Sequence, residues 1–168
     1  NVATLTNLSA TSIDNLTEKV RNLARDVPAS APELAKGLYQ VVSAGVDASF
    51  QLEVLKISAM SASAGVSTTT EALNLVSAVI KAYGKDWSEF ASIQDQAFKT
   101  VELGQTTFGE LSSSMMRVTA SANELGISTQ ELFGAFATLT GVTGNTAEVS
   151  TQLKAIMTSL IKPKEAMI

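Results

Sequence analysis

The sequence predicts an all-α protein, a compact bundle of about eight short helices joined by glycine-containing corners. Apolar residues recur at alternating intervals of 3 and 4, which places them on one face of a helix. Glycines recur about every 20 residues, where each can end a helix. A capping box, in which a side chain that caps a helix start is followed three residues later by Glu, recurs along the chain. The boxes are Ser30 with Glu33, Thr68 with Glu71, Asp86 with Glu89, Thr107 with Glu110, Ser128 with Glu131, and Asn145 with Glu148.

The composition narrows the possible functions. Among 168 residues, 17% are charged and 45% are apolar, and the net charge is −4. The chain has no Cys and no His, so it lacks thiolates and disulfides and also the commonest general base and metal ligand. The acidic balance argues against general nucleic-acid binding, which needs clustered Lys and Arg. A helical protein this poor in charge is expected to hide part of its surface against other chains.

We expect one folded unit cut from a longer polypeptide. Residues 1–10 are expected to form a loose segment, residues 11–163 a single all-helical domain, and residues 164–168 a tail. The first residues lack the pattern of a secretory signal, and no apolar stretch reaches the ~20 residues of a membrane span. The first helix carries an apolar seam that Pro28 ends. The seam consists of Ile13, Leu16, Val20, Leu23 and Val27.

The helix over residues 48–63 has only two charged residues, Glu53 and Lys56, and its apolar residues cover most of its circumference. It is therefore predicted to be buried on nearly all sides. Two similar corners flank it, Ala44-Gly45-Val46-Asp47 and Ala64-Gly65-Val66-Ser67. In each corner the glycine is expected to take the left-handed conformation and the valine to pack back on the helix. Asp47 or Ser67 is then expected to cap the next helix.

Five further helices are predicted after Gly65. Two run from the boxes at Thr68 and Asp86 to Gly84 and Gly104. The next has the most regular apolar spacing in the chain, which predicts one uninterrupted helix ended by Gly126. The spacing joins Phe108, Leu111, Met115, Val118, Ala122 and Leu125.

The last two helices follow Gly126. A short helix is expected to begin at Ser128, with Ile127 and Leu132 as a hydrophobic staple, and to end at a loose corner, Thr140-Gly141-Val142-Thr143. The final helix runs from Asn145 to Pro163, and its core face is expected to consist of Val149, Leu153, Ile156, Met157 and Leu160. The recurring glycines also fit a helical repeat array. The helices do not match position by position, so a compact or gently layered bundle is preferred.

Candidate catalytic and metal-binding residues have simpler explanations. The box carboxylates lie at helix starts, where capping and the helix dipole account for them. Asp95 and Glu102 share one helix but lack the further ligands that a metal needs. Ser112, Ser113 and Ser114 have no His or suitably spaced Lys to activate them, and they are expected to let helices approach closely.

Three further motifs are weak. The run Gly141 to Asn145 suggests a phosphate loop but lacks the preceding strand and the following Lys. Asn7 and Asn15 match the glycosylation pattern by chance, and Lys162 with Lys164 is expected to be a solvated helix end. We therefore predict no catalytic, cofactor-binding or metal-binding residue, no cofactor, and a protein that is not an enzyme.

An ordered set of motifs resembles the core domain of tail tape measure proteins (minor tail proteins) from long-tailed bacteriophages and prophages. The first is Ser30-Ala31-Pro32-Glu33-Leu34-Ala35, followed by Leu38-Tyr39 and Ala44-Gly45-Val46. The later ones are Ala82-Tyr83-Gly84, Thr106-Thr107-Phe108 with Glu110-Leu111, Leu125-Gly126-Ile127-Ser128 with Glu131-Leu132, and Thr151, Leu153, Leu160 and Pro163. The resemblance covers residues 27–163. One departure follows Gly144, where Ala147-Glu148-Val149-Ser150-Thr151 replaces the family's usual Ala-Gly-Thr step.

The resemblance implies a structural virion protein that takes part in tail assembly, tail length determination and genome ejection. It implies partners among the tail tube, tail assembly chaperone and tail-tip proteins, self-association in the parent chain, no specific nucleic acid, and membrane contact only during ejection. It places the protein in the tail lumen or tip after assembly in the bacterial host cytoplasm. The alternatives are a helical protein-binding scaffold that holds peptides in a groove and a membrane-active helical domain.

Overall fold

The computed structural model describes residues 10–65 and 67–162, with side chains described from Asn15 onward. Over these residues it contains nine α-helices and no strand, which confirms the all-α prediction. A 3-10 turn, Trp87–Glu89, precedes α5. Of the expected loose segment over residues 1–10, the structure describes only Ala10, which begins α1, and the expected tail over residues 164–168 lies outside the described residues. The helices are α1 (Ala10–Asp26), α2 (Ala31–Ser43), α3 (Gln51–Ala64), α4 (Thr69–Tyr83), α5 (Phe90–Leu103), α6 (Phe108–Met115), α7 (Thr119–Glu124), α8 (Thr129–Thr143) and α9 (Thr146–Ile161).

The helices form two adjacent rows. The first row consists of α2, α4, α6 with α7, and α9, and the second consists of α1, α3, α5 and α8. Neighbours in the first row run in the same direction. The start of α4 contacts the start of α2 through a hydrogen bond from Thr69 to Glu33, and Asn123 at the end of α7 donates to the carbonyl of Ala82 near the end of α4. The predicted layered bundle is therefore present, and the two rows are its layers.

A structural repeat of about 38 residues generates both rows. Each repeat is a helical hairpin that contributes one helix to each row. The first-row helix starts are capped by Ser30, Thr68, Thr107 and Asn145, and the second-row helices α3, α5 and α8 begin at Gln51, Phe90 and Thr129. The glycine interval seen in the sequence is about half of this period, because each repeat holds two helices.

The central helix is α4, which contacts α2, α3, α5, α6 and α7. Its buried residues lie on several faces, including Leu73, Leu75, Val76 and Val79, all of which are inaccessible to solvent. The prediction that the helix over residues 48–63 is buried on nearly all sides is wrong. Helix α3 packs on α2 and α4 of the first row and on α1 and α5 of the second, but Glu53 and Lys56 are exposed and Met60 keeps 50% of its surface accessible.

Three of the predicted capping boxes form completely. In the boxes that begin at Thr68, Thr107 and Ser128, the cap hydroxyl accepts from the backbone N–H three residues on, and the Glu carboxylate accepts from the cap backbone N–H. These three pairs satisfy helix-start donors that have no partner within the helix. The sequence pattern therefore located the starts of α4, α6 and α8.

The other three boxes are incomplete. Ser30 and Asn145 cap α2 and α9 by accepting from the N–H of their Glu partners, but each of these carboxylates bonds elsewhere. The Asp86 box is wrong, since Asp86 accepts from the N–H of Ser88 in the 3-10 turn and Glu89 pairs with Lys85. The α-helix consequently begins at Phe90, later than the pattern suggested.

The glycine corners are of two kinds. Gly45 and Gly126 have φ of 79° and 72°, and the N–H of the next residue reaches back to Val41 and Ala122, as predicted. Gly65 has φ of −96°, so the predicted left-handed corner is wrong at this position. A Cβ at Gly65 would lie 2.3 Å from the ring of Phe108, which means that this glycine is needed for close contact.

Neither Asp47 nor Ser67 is the N-cap of the following helix. The residue before α3 is Phe50, which makes no side-chain cap, and its N–H bonds to the carbonyl of Asp47. Ser67 donates its hydroxyl to Glu71 at 2.8 Å, while the cap of α4 is Thr68. The predicted capping roles of Asp47 and Ser67 are therefore wrong.

The predicted single helix from Phe108 to Leu125 is two helices, α6 and α7. The N–H groups of Arg117 and Val118 bond three residues back, to Ser114 and Met115, which tightens the chain between them. The carbonyl of Ser114 also accepts from Ser150 on α9 at 3.0 Å. The apolar seam survives this break, because all its residues from Phe108 to Ala122 are fully buried.

The helix after Ser128 is longer than predicted. The expected corner at Thr140-Gly141-Val142-Thr143 lies inside α8, and the chain turns at Gly144, where φ is 63°. Gly141 does not end the helix because the left-handed residue comes three positions later. The predicted short helix is therefore a 15-residue helix.

Two Gly→Ala substitutions separate the contact role of a glycine from its backbone role. Gly65→Ala should lower the free energy of unfolding by about 1–3 kcal/mol, because the new methyl overlaps the buried ring of Phe108. Gly134→Ala is the matched control. Its Cβ meets nothing within 4 Å inside α8, so it should stabilise by about 0.5–1 kcal/mol. Urea unfolding followed by circular dichroism measures both, and a stabilising Gly65→Ala would contradict the contact.

Candidate functional site

The box carboxylates serve the helix starts. Glu71 accepts from the N–H and hydroxyl of Thr68 at 3.0 Å and from the hydroxyl of Ser67. These hydrogen bonds, with the backbone of Thr68 first, lower the pKa of Glu71. Glu131 is bonded in the same way by Ser128, which lowers its pKa as well. A carboxylate held ionised by its own cap is a poor proton donor at neutral pH.

Two of these carboxylates also join neighbouring helices of the first row. Glu33 accepts from the hydroxyl of Thr69 at 3.0 Å. Glu110 lies 3.5 Å from the hydroxyl of Thr146, which in turn donates to Thr106 at 2.7 Å. The contacts connect α2 with α4 and α6 with α9. Their arrangement is structural, because Glu33 Oε1 accepts from Thr69 and Glu110 Oε2 accepts from the N–H of Thr107 and lies beside the hydroxyl of Thr146.

The remaining acidic and serine candidates do not come together. Glu102 pairs with Lys99 on the same helix at 2.7 Å, and Asp95 lies at the rim of a separate groove. Within the described ranges, no three residues among His, Cys, Asp and Glu are close enough to hold a metal ion. Ser112 and Ser114 are buried between helices, and Ser113 donates to the carbonyl of Glu110.

The weaker motifs are also placed by the structure. The run Gly141 to Asn145 spans the end of α8 and the cap of α9, so it follows a helix, where a phosphate loop follows a strand. Asn15 is exposed on α1, and Lys162 is exposed after α9. Asn7 and Lys164 lie outside the described residues. None of the described positions among these motifs adds a chemical group to the carboxylates described above.

A groove of about 420 Å³ lies between α5 and α8. Its lining includes Thr100, Leu103, Phe133 and Ala137, with Gly134 leaving open space. Leu103 keeps 70% of its surface exposed there. An open groove with exposed apolar groups is suited to contact with another polypeptide rather than to a reaction that excludes water.

A second exposed apolar surface lies on the last hairpin, at the end of the two rows. Ile156 and Leu160 on α9 are 57% and 59% exposed, and Val142 on α8 is 83% exposed. The sequence analysis assigned Ile156 and Leu160 to the core face of the last helix, and that assignment is wrong. Val149 and Met157 of the same predicted face are buried. Helix α9 packs on one second-row helix, α8, whereas α2 and α4 each lie between two such helices.

One titratable group, a tyrosine hydroxyl, is buried although its side chain is only partly so. The hydroxyl of Tyr83, at the end of α4, finds no hydrogen-bond partner among the described residues. Burial, and secondarily the negative charge of Glu131, raises its pKa to about 12. The phenol is therefore neutral at neutral pH and serves packing.

No helix in the described ranges is both long enough and apolar enough to cross a bilayer.

Capped helix starts, two rows of packed helices and exposed apolar side chains define an all-α protein built as a row of helical hairpins. The chain belongs to the phage-related minor tail protein family, which matches residues 17–167. It is similar to a probable tape measure protein of Clostridium phage phiCD119, with 28% identity over 153 residues. That alignment covers 89% of this chain and 16% of the relative, so the chain spans about a sixth of the relative's length. No solved structure matches.

The family confirms the resemblance found in the sequence and supports a structural role in the phage tail. It also supports association with the virion and contact with other tail proteins. The family is that of a structural tail protein.

The spacing of apolar residues did not indicate the exposed end of the two rows. The exposure of Ile156 stands out only when the first-row helices are aligned from their caps.

Tyr83→Phe tests whether the buried phenol serves packing alone. At pH 7 the free energy of unfolding should change by less than about 0.5 kcal/mol, because no hydrogen bond is lost. The pKa of Tyr83 is raised to about 12 in the folded state from the ordinary value of 10.0. Its contribution to stability is therefore complete below pH 10 and is lost as pH rises from 10 toward 12. The variant should lose less stability than the parent over that range.

Denaturant titrations between pH 7 and 11.5 measure this difference. Tyr39→Phe is the control and should keep the parent's alkaline loss, since Tyr83 is intact in it. A large loss of stability for Tyr83→Phe at pH 7 would show that the hydroxyl has a partner after all.

Proposed function

We propose that this chain is one folded domain of a tail tape measure protein, acting in tail assembly and, through its parent chain, in tail length determination and genome ejection. Membership of the minor tail protein family supports the tail role. The similarity to a probable tape measure protein about six times longer supports a place within a long parent chain. Residues 11–163 are proposed to be the single domain of this kind within the sequence.

The fold supports a globular rather than a ruler-like part. The longest helix has 17 residues, which corresponds to a length of about 25 Å. An unbroken helix of about 150 residues would extend over about 225 Å. Because the corners fold the chain back after every helix, this domain contributes little length per residue. In this proposal, the length of the tail is measured by other, extended parts of the parent chain.

The partners are proposed to be tail proteins. Exposed apolar side chains such as Leu103 and Val142 suit contacts with the tail tube, the tail assembly chaperone or tail-tip proteins. The net charge of −4 suits a protein that shares a tail lumen with DNA without binding it. The proposed location is the tail lumen or tip, following assembly in the bacterial host cytoplasm, with membrane contact only during ejection.

A protein-binding scaffold outside the tail is the second candidate, and the groove between α5 and α8 favours it. Thr100, Phe133 and Ala137 lie in a groove large enough for the side chains of a bound peptide. This alternative does not require a longer parent chain. A phenotype confined to tails would argue against it.

Deletion in the parent gene tests the tail role. Removal of the codons for residues 17–161 should prevent assembly of infective tails, while any tails that form should not shorten by the ~1.5 Å per residue of an extended helix. The matched control deletes the same number of residues from a glycine-poor helical segment of the same parent. That deletion should shorten tails by about 220 Å. Tail length is measured by electron microscopy of negatively stained particles.

The two deletions distinguish the possible outcomes. Infective tails shortened in proportion to the deleted residues would show that this segment is part of the ruler and would contradict a folded role. Infective tails of normal length would show that the domain has no role in the tail. Either outcome overturns the proposal.

A further inference from the structure

The first-row helices carry equivalent residues at equal distances from their caps. The fourth residue after the cap is Leu34, Ala72, Leu111 or Val149, and each of these is fully buried. The eleventh residue after the cap is Val41, Val79, Val118 or Ile156. The first three are fully buried, but Ile156 is 57% exposed. The last repeat therefore exposes an apolar position that the other three bury.

The exposure of Ile156 accompanies a difference in packing against the second row. In the second row, α1 and α3 flank α2, and α3 and α5 flank α4. Helix α9 packs on α8 and has no further second-row helix beside it in the described part of the chain. Leu160, one turn further along α9, is also exposed. This end, here called the rear end (Ile156 and Leu160), has the surface on which another hairpin of the repeat would pack.

The opposite end of the rows has the complementary surface. The first and fifth residues after the cap meet the preceding helix in later repeats. Thr69 bonds to Glu33 on α2, and Ser150 bonds to the carbonyl of Ser114 on α6. The equivalent residues of α2 are Ala31 and Ala35, which are exposed and small enough to let another helix approach.

Ala31 and Ala35 line an apolar groove of about 190 Å³ between α1 and α2, together with Leu16, Val20 and Leu38. This surface is here called the front end. Every internal junction of the stack joins the rear of one hairpin to the front of the next. The front end is therefore the kind of surface on which the rear end of a hairpin packs.

We propose that the rear end of one copy of this chain binds the front end of a second copy, which continues the row of hairpins across the junction. The contact is head-to-tail, so both ends of each copy remain able to bind and the product is an open stack. This contact depends on the repeat geometry alone and holds whatever the parent chain does in the tail.

Sedimentation velocity of the 168-residue chain over a range of concentrations measures this association. The mean sedimentation coefficient should rise with concentration. The rear-end variant Ile156→Lys with Leu160→Glu preserves the net charge and should raise the dissociation constant at least about tenfold, because buried charges would replace apolar contacts. Both positions are exposed, so the variant should fold and unfold like the parent. Met60→Lys with Met116→Glu is the matched control, since these residues are similarly exposed away from both ends.

A mixing experiment tests the head-to-tail direction. Ala35→Arg blocks the front end and should also leave the chain monomeric. An equal mixture of this variant with the rear-end variant should form dimers, because each partner keeps one intact end. A parent that stays monomeric at all concentrations would overturn the proposal. Three other results would also overturn it. They are association that persists in both end variants, an equal loss of association in the methionine control, and a mixture of the two end variants that does not associate.

Discussion

The alignment of helix starts along the first row is the constraint on which the fold depends. The Glu three residues after a cap meets the first turn of the next helix in the row, and at Glu71 and Glu110 it also closes its own helix. Glu33 accepts from Thr69, and Glu71 lies so close to α6 that a Cβ at Gly109 would be 2.8 Å from its Oε1. Since the caps recur about every 38 residues, the capping chemistry also sets the register of the stack.

The fold also requires helices to approach each other closely, both between the two rows and within the second row. A Cβ at Gly65 would meet Phe108, and one at Gly104 would lie 2.4 Å from the hydroxyl of Thr140 on α8. Thr100 brings the same two second-row helices together by donating to the carbonyl of Phe133 at 3.2 Å. Glycine and threonine here take the places that larger apolar residues hold elsewhere in the core. This explains how a chain with few charges and many small residues packs densely without longer helices.

Local patterns predicted the helices well because helix starts, ends and faces depend on neighbouring residues. The complete boxes at Thr68, Thr107 and Ser128 and the left-handed corners at Gly45 and Gly126 were all visible in the sequence. The failures depend on contacts distant in the chain. The break after Met115 coincides with a bond from Ser150, and the role of Gly65 depends on Phe108, so neighbouring residues alone could not indicate either feature.

The exposed apolar surface of α9 also separates what local spacing can predict from what depends on distant contacts. The spacing of Ile156 and Leu160 correctly places them on an apolar side of α9, but spacing cannot say whether another helix covers that side. Composition indicates few options for nucleophilic chemistry, since the chain has no Cys and no His. The exposed end could be recognised only after the repeat had aligned Ile156 with Val41 and Val79, which are fully buried.

A row of hairpins also bears on the proposed role in ejection. In a globular core every element is held by distant parts of the chain, so unfolding is all-or-none. In a stack each hairpin is held mainly by its neighbours, and stability is approximately a sum over hairpins and junctions. Such a chain can be unravelled from one end by breaking one junction at a time. A protein that must leave a narrow tail tube would therefore meet smaller successive barriers with this architecture than with a single cooperative core of equal stability.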